Sequence, residues 1–478
     1  MPTSFDSLPF ELVDAVLTEA TQLHLKEIAT YTYGLSQTPE PLQDVPQMLR
    51  VVRGGLPPDA LRWHATNSLR QVNRTWHDWA LLYAIKTMYI RRWRGSERWM
   101  ENLTALQSKP SGITVYRDPY YSLRSAARLF RDYPHVATCI RRLWLDGFYG
   151  AETNKIIFDM LPKCTQLQSV TLPWTVLRHG DVGDWVRLLR QGQPGGGLKS
   201  LELLAVDLKK AQTALAVNKV NKNPLESPRV DFSGLKRLKI FGSTNLNPIT
   251  DDDLKAMART AAHLEEFHVT GTSSVTLNGV MAIVDAAKET LQTLEYSPLS
   301  SDGFDHPDSF TSSDDTHLCQ SLLECPKLKN LLISLPSICP DIFNNASVHW
   351  TGDVDIRAGG FCGQDGAPMQ VSHGEEQICK ILDRARKLME VREKEGVRLE
   401  VCIYINHWIF EPRHHCVHGN LELGELLSEH TWPLEKSPSC KGPYGQTGLY
   451  GKDEGPYSCI SEDDFLAGLQ RSYCSLAE

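Results

Sequence analysis

The residue types best suited to chemistry fall in three short stretches of this chain. His407, His414, His415, Cys416 and His418 put imidazoles and a thiol close together, and these are donors that zinc accepts. Neither a CxxC partner nor an HExxH helix accompanies them, so they read as histidines of a polar loop. Residues 192–200, GQPGGGLKS, have the glycines of a phosphate-cradling loop. That loop requires GxxxxGK[ST], and here Leu198 separates Gly197 from Lys199. Residues 90–99, IRRWRGSERW, interleave arginine with tryptophan, as single-strand-binding surfaces do. Arginine stems lying along tryptophan on a solvated helix face account for the mixture more simply. No GxSxG elbow or other catalytic string occurs. The sequence therefore predicts no catalytic residue, no metal site and no cofactor, and a function exercised by binding.

The elements that would present a binding surface must come from more than one domain, because 478 residues exceed an ordinary single core. A hydrophobic share of 41% supplies that core and argues against general disorder. The formal net charge of −8 does not suit a chain that coats a phosphate backbone or an anionic membrane, so neither nucleic acid nor membrane is expected as a partner. No apolar run approaches the roughly 18 residues of a membrane span. The opening MPTSFDSLPFELVD lacks a basic start and an apolar run, unlike a secretory signal. The twelve cysteines are scattered without a disulfide framework's spacing. Together these features predict a reduced, soluble protein of the cytoplasm, the nucleus or both.

Two helical patterns occupy the N-terminal hundred residues. In SLPFELVDAVL, Ser7 can cap a helix, Pro9 tolerates the first turn and Glu11 suits the positive end of the dipole. Leu8, Leu12, Val13, Val16 and Leu17 then form one apolar stripe. A second pattern runs from about Ala65 to Arg92, with Leu69, Val72, Trp76, Trp79, Ala80 and Tyr83 on one face. Two short amphipathic helices bury little alone, so they must cap the next domain or meet a partner. The string Leu8-Pro9-x-Glu11-Leu12-x-x-x-Val16-Leu17 resembles the opening of the F-box, LPxELxxxIL. The string Leu69-x-x-Val72-x-Arg74-x-Trp76-x-x-Trp79 resembles its second half, with Asn73 where cysteine is common and Trp79 where an aliphatic is common. The halves are separated by residues 34–60, rich in proline and glycine, which read as an inserted loop. The resemblance implies docking on a Skp-type adaptor, and through it on a cullin and ubiquitin transfer. The implied adaptor-binding residues are Leu8, Pro9, Glu11, Leu12, Val16, Leu17, Leu69, Val72, Trp76 and Trp79, including the helical core behind the contact.

From residue 137 onward an apolar residue recurs at i, i+3 and i+5. The copies are Ile140-Leu143-Leu145, Leu167-Val170-Leu172, Leu198-Leu201-Leu203, Leu235-Leu238-Ile240, Leu264-Phe267-Val269, Leu291-Leu294-Tyr296 and Leu328-Leu331-Ile333. Their starts are 27, 31, 37, 29, 27 and 37 residues apart, a period that signals stacked supersecondary units. Weaker copies use Val354 and Ile356, then Cys402 and Tyr404. Helix-like stretches lie between copies, as at 154–161, 184–190, 252–262, 277–291 and 315–323. The i+3 and i+5 residues lie two apart on a strand and face the same core, which only a neighbouring unit can complete. The pattern resembles the leucine-rich repeats found beside many F-boxes, but without the usual Asn or Cys after the strand. A doubly wound α/β domain would show unbroken apolar strands, whereas LKRLKIF and HLEEFHV are interrupted.

The expected architecture is α/β: an F-box-like helical domain over 1–100, linker or cap helices over 101–136, an irregular repeat solenoid (a horseshoe) over 137–405, and a cap or tail over 406–478. The resemblances imply the target-recruiting subunit of an SCF-type ubiquitin ligase, itself no enzyme. A repeat scaffold without ligase function is the alternative. Target contact is expected at the residues between the core positions of the strands: Trp144, Glu202, Lys239, His268 and Glu295.

Overall fold

Each copy of the apolar pattern forms one short strand, and the strands join into a single sheet. The structure is a computed structural model describing residues 9–28, 30–31, 51–52, 66, 68–92, 120–190, 197–206, 223–244, 249–272, 274–298, 318–344, 350–362, 374–405, 408–419 and 458–470. Helices α1 (Phe10–Ile28) and α2 (Arg74–Lys86) precede the sheet. Its strands are β1 (Thr87–Arg91), β2 (Arg142–Asp146), β3 (Ser169–Pro173), β4 (Ser200–Val206), β5 (Arg237–Thr244), β6 (Glu266–Thr272) and β7 (Thr293–Ser297). They continue with β8 (Asn330–Leu335), β9 (Asp353–Ala358), β10 (Glu400–Ile405), β11 (Trp408–Glu411), β12 (Cys416–Gly419) and β13 (Ser458–Ser461). The chain is thus mixed α/β, and besides a two-stranded pairing of Thr30–Tyr31 with Val51–Val52 it has an open, mostly parallel sheet of thirteen strands, whose spatial order follows the sequence without reversal. A doubly wound sheet reverses its strand order at a switch point, and this one does not.

Register follows from the pattern. The i+3 residues pair straight across the sheet in the order Leu143, Val170, Leu201, Leu238, Phe267, Leu294, Leu331 and Val354, and Val401 of β10 continues the row. All of them are buried in one core. A backbone relay fixes this alignment just before each strand. Arg141 N donates to Lys86 O, Gln168 N to Arg141 O, Lys199 N to Gln168 O and Lys236 N to Lys199 O, each at 2.8 Å. It runs on through Glu265, Gln292 and Lys329 at 2.7 to 2.8 Å. A one-residue slip would turn every core side chain to the opposite face, so register is strongly held.

The connecting helices close the same core. They are α3 (Tyr121–Asp132), α4 (Pro134–Cys139), α5 (Ala151–Met160), α6 (Val176–His179), α7 (Val182–Leu189), α8 (Asp251–Ala258), α9 (Leu277–Ala287), α10 (Leu318–Leu323), α11 (Gly374–Lys394) and α12 (Glu462–Gln470). Ile157, Trp185, Leu254, Val280, Leu322 and Ile381 from six of them join the strand residues in that core. Polar bonds tie the connections between strands together. Arg178 forms a two-pronged pair with the buried Asp253 at 2.7 and 2.6 Å, and Asp251 accepts from Thr276 N at 2.8 Å. The α8–α9 approach is so close that a Cβ on Gly279 would stand 2.4 Å from the Asp251 carboxylate. At the far end, β11, β12 and β13 run antiparallel, and Phe465 of α12 packs on Trp408 and Phe410 with ring centroids 4.8 and 5.2 Å away.

Three expectations need correction. The pattern taken as one helix from Ala65 to Arg92 divides into α2 and β1, so the sheet begins at Thr87 and not after residue 137. β-Branched and aromatic residues in TMYIR suit an edge strand better than a last helical turn. In β10 the core side chains are Val401, Ile403 and Ile405, whereas Cys402 and Tyr404 lie on the other face. Every side chain of VCIYI is apolar, so its alternation does not announce which face is buried. Helix α11, with Ile378, Ile381, Leu382, Ala385 and Leu388 buried, was not anticipated. Truncation in the middle of the core, Phe267→Ala, is expected to cost about 3–5 kcal/mol in denaturant unfolding. Glu266→Ala, on the neighbouring half-exposed position, is expected to cost less than about 1 kcal/mol.

Candidate functional site

Two surfaces can meet a partner, and the first lies on the N-terminal helices. The Asn73 side chain accepts from Trp76 N at 2.8 Å and caps α2, a sound reason for asparagine there. Helix α1 begins at Phe10, one residue after Pro9, whose carbonyl accepts from Leu12 N at 3.0 Å. Val13 and Leu17 of α1 are buried against Trp79, Ala80 and Tyr83 of α2, with Leu69 and Trp76 partly buried beside them. Trp79 stacks on Tyr83 and donates from Nε1 to Asp14 Oδ1 at 2.6 Å. The apolar arc of α1 is wider than this packing uses. Leu12 and Val16 remain 53% and 49% exposed, and Phe10, Val72 and Leu82 are 58%, 56% and 52% exposed. Leaving such side chains in water forgoes roughly 1.5–3 kcal/mol each.

The expected adaptor residues therefore divide into two groups. Pro9, Glu11, Leu12, Val16 and Val72 face solvent, and Leu69 and Trp76 are half-buried. Leu17 and Trp79 fill the seam between α1 and α2 and so belong to the helical core of that set. Leu8 lies outside the described residues, as does the inserted segment apart from Val51–Val52. Phe10 and Leu82 join the exposed group unanticipated. Two adjacent i, i+4 stripes on α1, of which only one can face α2, were the signal for such an arc.

The second surface is the sheet face opposite the core. Ladder pairing places Trp144, Thr171, Glu202, Lys239, His268 and Glu295 side by side, so the five expected target residues do share one row. They do not line an open groove. Glu202, Lys239, His268, Glu295 and Trp144 are only 0–5% exposed, which corrects the expectation of direct contact. Strands about 4.8 Å apart press long side chains of one row against each other. Thr171 Oγ1 donates to Glu202 at 2.8 Å, and His268 Nδ1 lies 2.7 Å from Glu295. Lys239 Nζ sits 5.2 Å over the Phe241 ring, and Trp144 packs with Phe241 and Tyr89. Burial lowers the Lys239 ammonium to about 8, against the pull of Glu295 and Glu202. Burial also pushes the Glu202 carboxyl up, but Arg237, Lys239 and Arg142 outweigh it and the net shift is downward.

Two residues earlier along each strand, the same face is accessible. Arg142, Arg237, Glu266, Asp353 and Glu400 lie in that row, Asp353 and Glu266 being the most open. Arg237 lies 3.2 Å from Glu266 and 3.5 Å from Glu202, so it joins the open row to the buried one. Sequence reasoning missed this row because it took alternation with the core as sufficient for exposure.

The stretches first suspected of chemistry are dispersed or structural. Leu198 is 1% exposed in the core, which is the work its position predicted; residues 192–196 are outside the described residues. Ile90 is buried in β1, and the Arg92 guanidinium lies 5.4 Å over the Tyr120 ring. His414 and His415 are exposed, Cys416 is half-buried 3.6 Å from Glu411, and His407 is outside the described residues. Among the described residues, no helix is long and apolar enough to cross a membrane. No protein-family model and no curated protein matches the chain.

The buried row has a pH consequence. Asp355, paired in register with Cys402, is raised to about 7, by burial first and then by Asp353, against a lowering hydrogen bond with Cys402. Between about pH 4 and pH 7 the folded chain keeps a proton that the unfolded chain has lost. Stability therefore falls as the pH rises through that window and levels off above it. Asp355→Asn is expected to raise the unfolding free energy at pH 8, by at most about 4 kcal/mol, and to change it little at pH 4. Parallel denaturant titrations at the two pH values measure this.

Proposed function

We propose that this chain is the target-recruiting subunit of an SCF-type ubiquitin ligase, an F-box protein whose sheet region is an irregular leucine-rich-repeat solenoid. The observation that carries the reading is the exposed apolar arc of Phe10, Leu12, Val16, Val72 and Leu82 on helices that already share a core. A helical pair that only capped the sheet would turn a polar face to water. These side chains instead include Leu12, Val16 and Val72 from the two strings that resemble the F-box halves. The Skp-type adaptor is the partner this arc suits, with a cullin behind it. Sequential strand order, strand starts aligned in register and a large apolar core between the sheet and the connecting helices support the solenoid reading. The target would be met by the accessible row with Arg237, Glu266 and Asp353, while Glu202, Lys239, His268 and Glu295 set that row from beneath.

A scaffold without ligase function draws support from one observation. Helix α2 runs without a break into β1, the first edge strand, as a cap would.

Co-purification with a Skp-type adaptor separates the two. The intact chain is expected to hold the adaptor, and Leu8→Ala with Pro9→Ala to release it. Leu12→Glu with Val16→Glu is expected to weaken binding at least about a hundredfold, because two apolar side chains would no longer be buried against the adaptor. Because both side chains are exposed, the circular dichroism spectrum should not change. A folded intact chain that ignores the adaptor would leave the scaffold reading in possession.

A further inference from the structure

Three cysteines far apart in sequence meet at one point of the fold. Cys319 lies in the first turn of α10, Cys339 precedes the 3-10 turn Pro340–Phe343 after β8, and Cys362 follows β9. Backbone pairing brings the last two together. Ile338 bridges Phe361, Ile338 N donates to Gly360 O, and Cys362 N donates to Ile338 O, both at 3.0 Å. Each cysteine thus stands one residue beyond a bridged pair, and α10 lays Cys319 beside them. All three Sγ atoms lie within 4.8 Å of one another. Among the described residues, these are the ligating side chains that gather as a group of three.

The surroundings suit thiolate ligands. Cys319 and Cys339 are 1% and 7% exposed, and Cys362 is half-buried, so the cluster is closed on the core side and opens on one. Ser337 Oγ lies 3.3 Å from Cys362 Sγ. A tetrahedral zinc ion with sulfur at about 2.3 Å sets its sulfurs about 3.8 Å apart. Closing this trio on an ion therefore asks for a contraction of about 1 Å or less.

We propose that Cys319, Cys339 and Cys362 form a three-thiolate site for Zn²⁺, its fourth position filled by water on the open side next to Cys362. Soft thiolates select zinc or cuprous copper, and the open side favours the ion that takes a fourth ligand. Binding releases the thiol protons and involves no change of oxidation state. The ion would fasten α10 to the connections that follow β8 and β9. The site stands apart from adaptor docking, and neither proposal depends on the other.

The test uses the full chain, purified reduced and without chelator, loaded with Zn²⁺, desalted and assayed for metal by mass spectrometry. Cys362→Ser and Cys319→Ser are compared with Cys139→Ser, a half-buried thiol on α4 away from the trio. The expected result is a loss of about one zinc per chain in the first two variants and none in the control, with affinity weakened at least about tenfold. Co²⁺ titration should give thiolate charge-transfer absorption in the intact chain and the control but not in those variants. That readout separates the trio from histidine sites. Should Cys319→Ser fail to fold, Cys362→Ser, at the open side, carries the test alone. Unchanged zinc content and cobalt spectra in both variants would overturn the site. So would a disulfide between two of the three, mapped in metal-free protein as purified, or displacement of zinc by stoichiometric Cu(I).

Discussion

The structure rests on one constraint: parallel strands pair only in a register that the relay from Lys86 through Arg141, Gln168, Lys199, Lys236, Glu265, Gln292 and Lys329 holds constant. Each carbonyl in that relay receives the amide of the following unit, so buried backbone groups at the strand entrance are satisfied by the neighbour. Side-chain direction then has no freedom left. Leu143, Leu238, Phe267 and Leu331 point to the helices, and Trp144, Lys239, His268 and Leu332 point to the opposite face, because strand geometry alternates. The core, the buried polar row and the accessible row are three aspects of one ladder. The thiol trio depends on it as well, since Cys339 and Cys362 follow strands whose ends the ladder brings level.

Polar burial is the second theme. Glu202, Lys239, His268 and Glu295 are nearly inaccessible, yet each has a charge or hydrogen-bond donor of the opposite kind across the ladder. Burying such groups unpaired costs several kcal/mol, so the row is viable only as a set. Asp355 shows what happens where the set runs out. Its charged neighbours Asp353 and Glu295 are acids like itself, and its carboxyl responds by keeping a proton into the neutral range.

Much of the architecture was legible because its units repeat. In all seven full copies of the pattern, the i+3 and i+5 residues are in the core. The polar interruptions in LKRLKIF and HLEEFHV fall on Lys236, Arg237, Lys239, Glu265, Glu266 and His268, and those within β5 and β6 alternate with the core positions. What failed did so for local reasons. VCIYI has no polar residue to set its phase, so the pattern puts Cys402 and Tyr404 on the wrong side. TMYIR follows a helix without a proline or glycine to mark the change. Leu17 and Trp79 carry the residue types of a docking motif, but which of two adjacent stripes meets the other helix depends on tertiary packing. The convergence of Cys319, Cys339 and Cys362 has no sequence signal, because each comes from a different unit and their spacings fit no short motif.

Unit length varies from 27 to 37 residues while the strands keep the same register at their starts, and this separates the chain's address system from its length. A side chain's location on the sheet is given by two coordinates, the ordinal number of its strand and its position within it. Residues gained or lost in a connection alter neither coordinate. A lineage can therefore rewrite the accessible row one strand at a time, or lengthen a connection between units, without renegotiating the rest of the surface. An extra residue within a strand does change the second coordinate, and β5 carries its irregularity between Phe241 and Thr244, past the core positions Leu238 and Ile240.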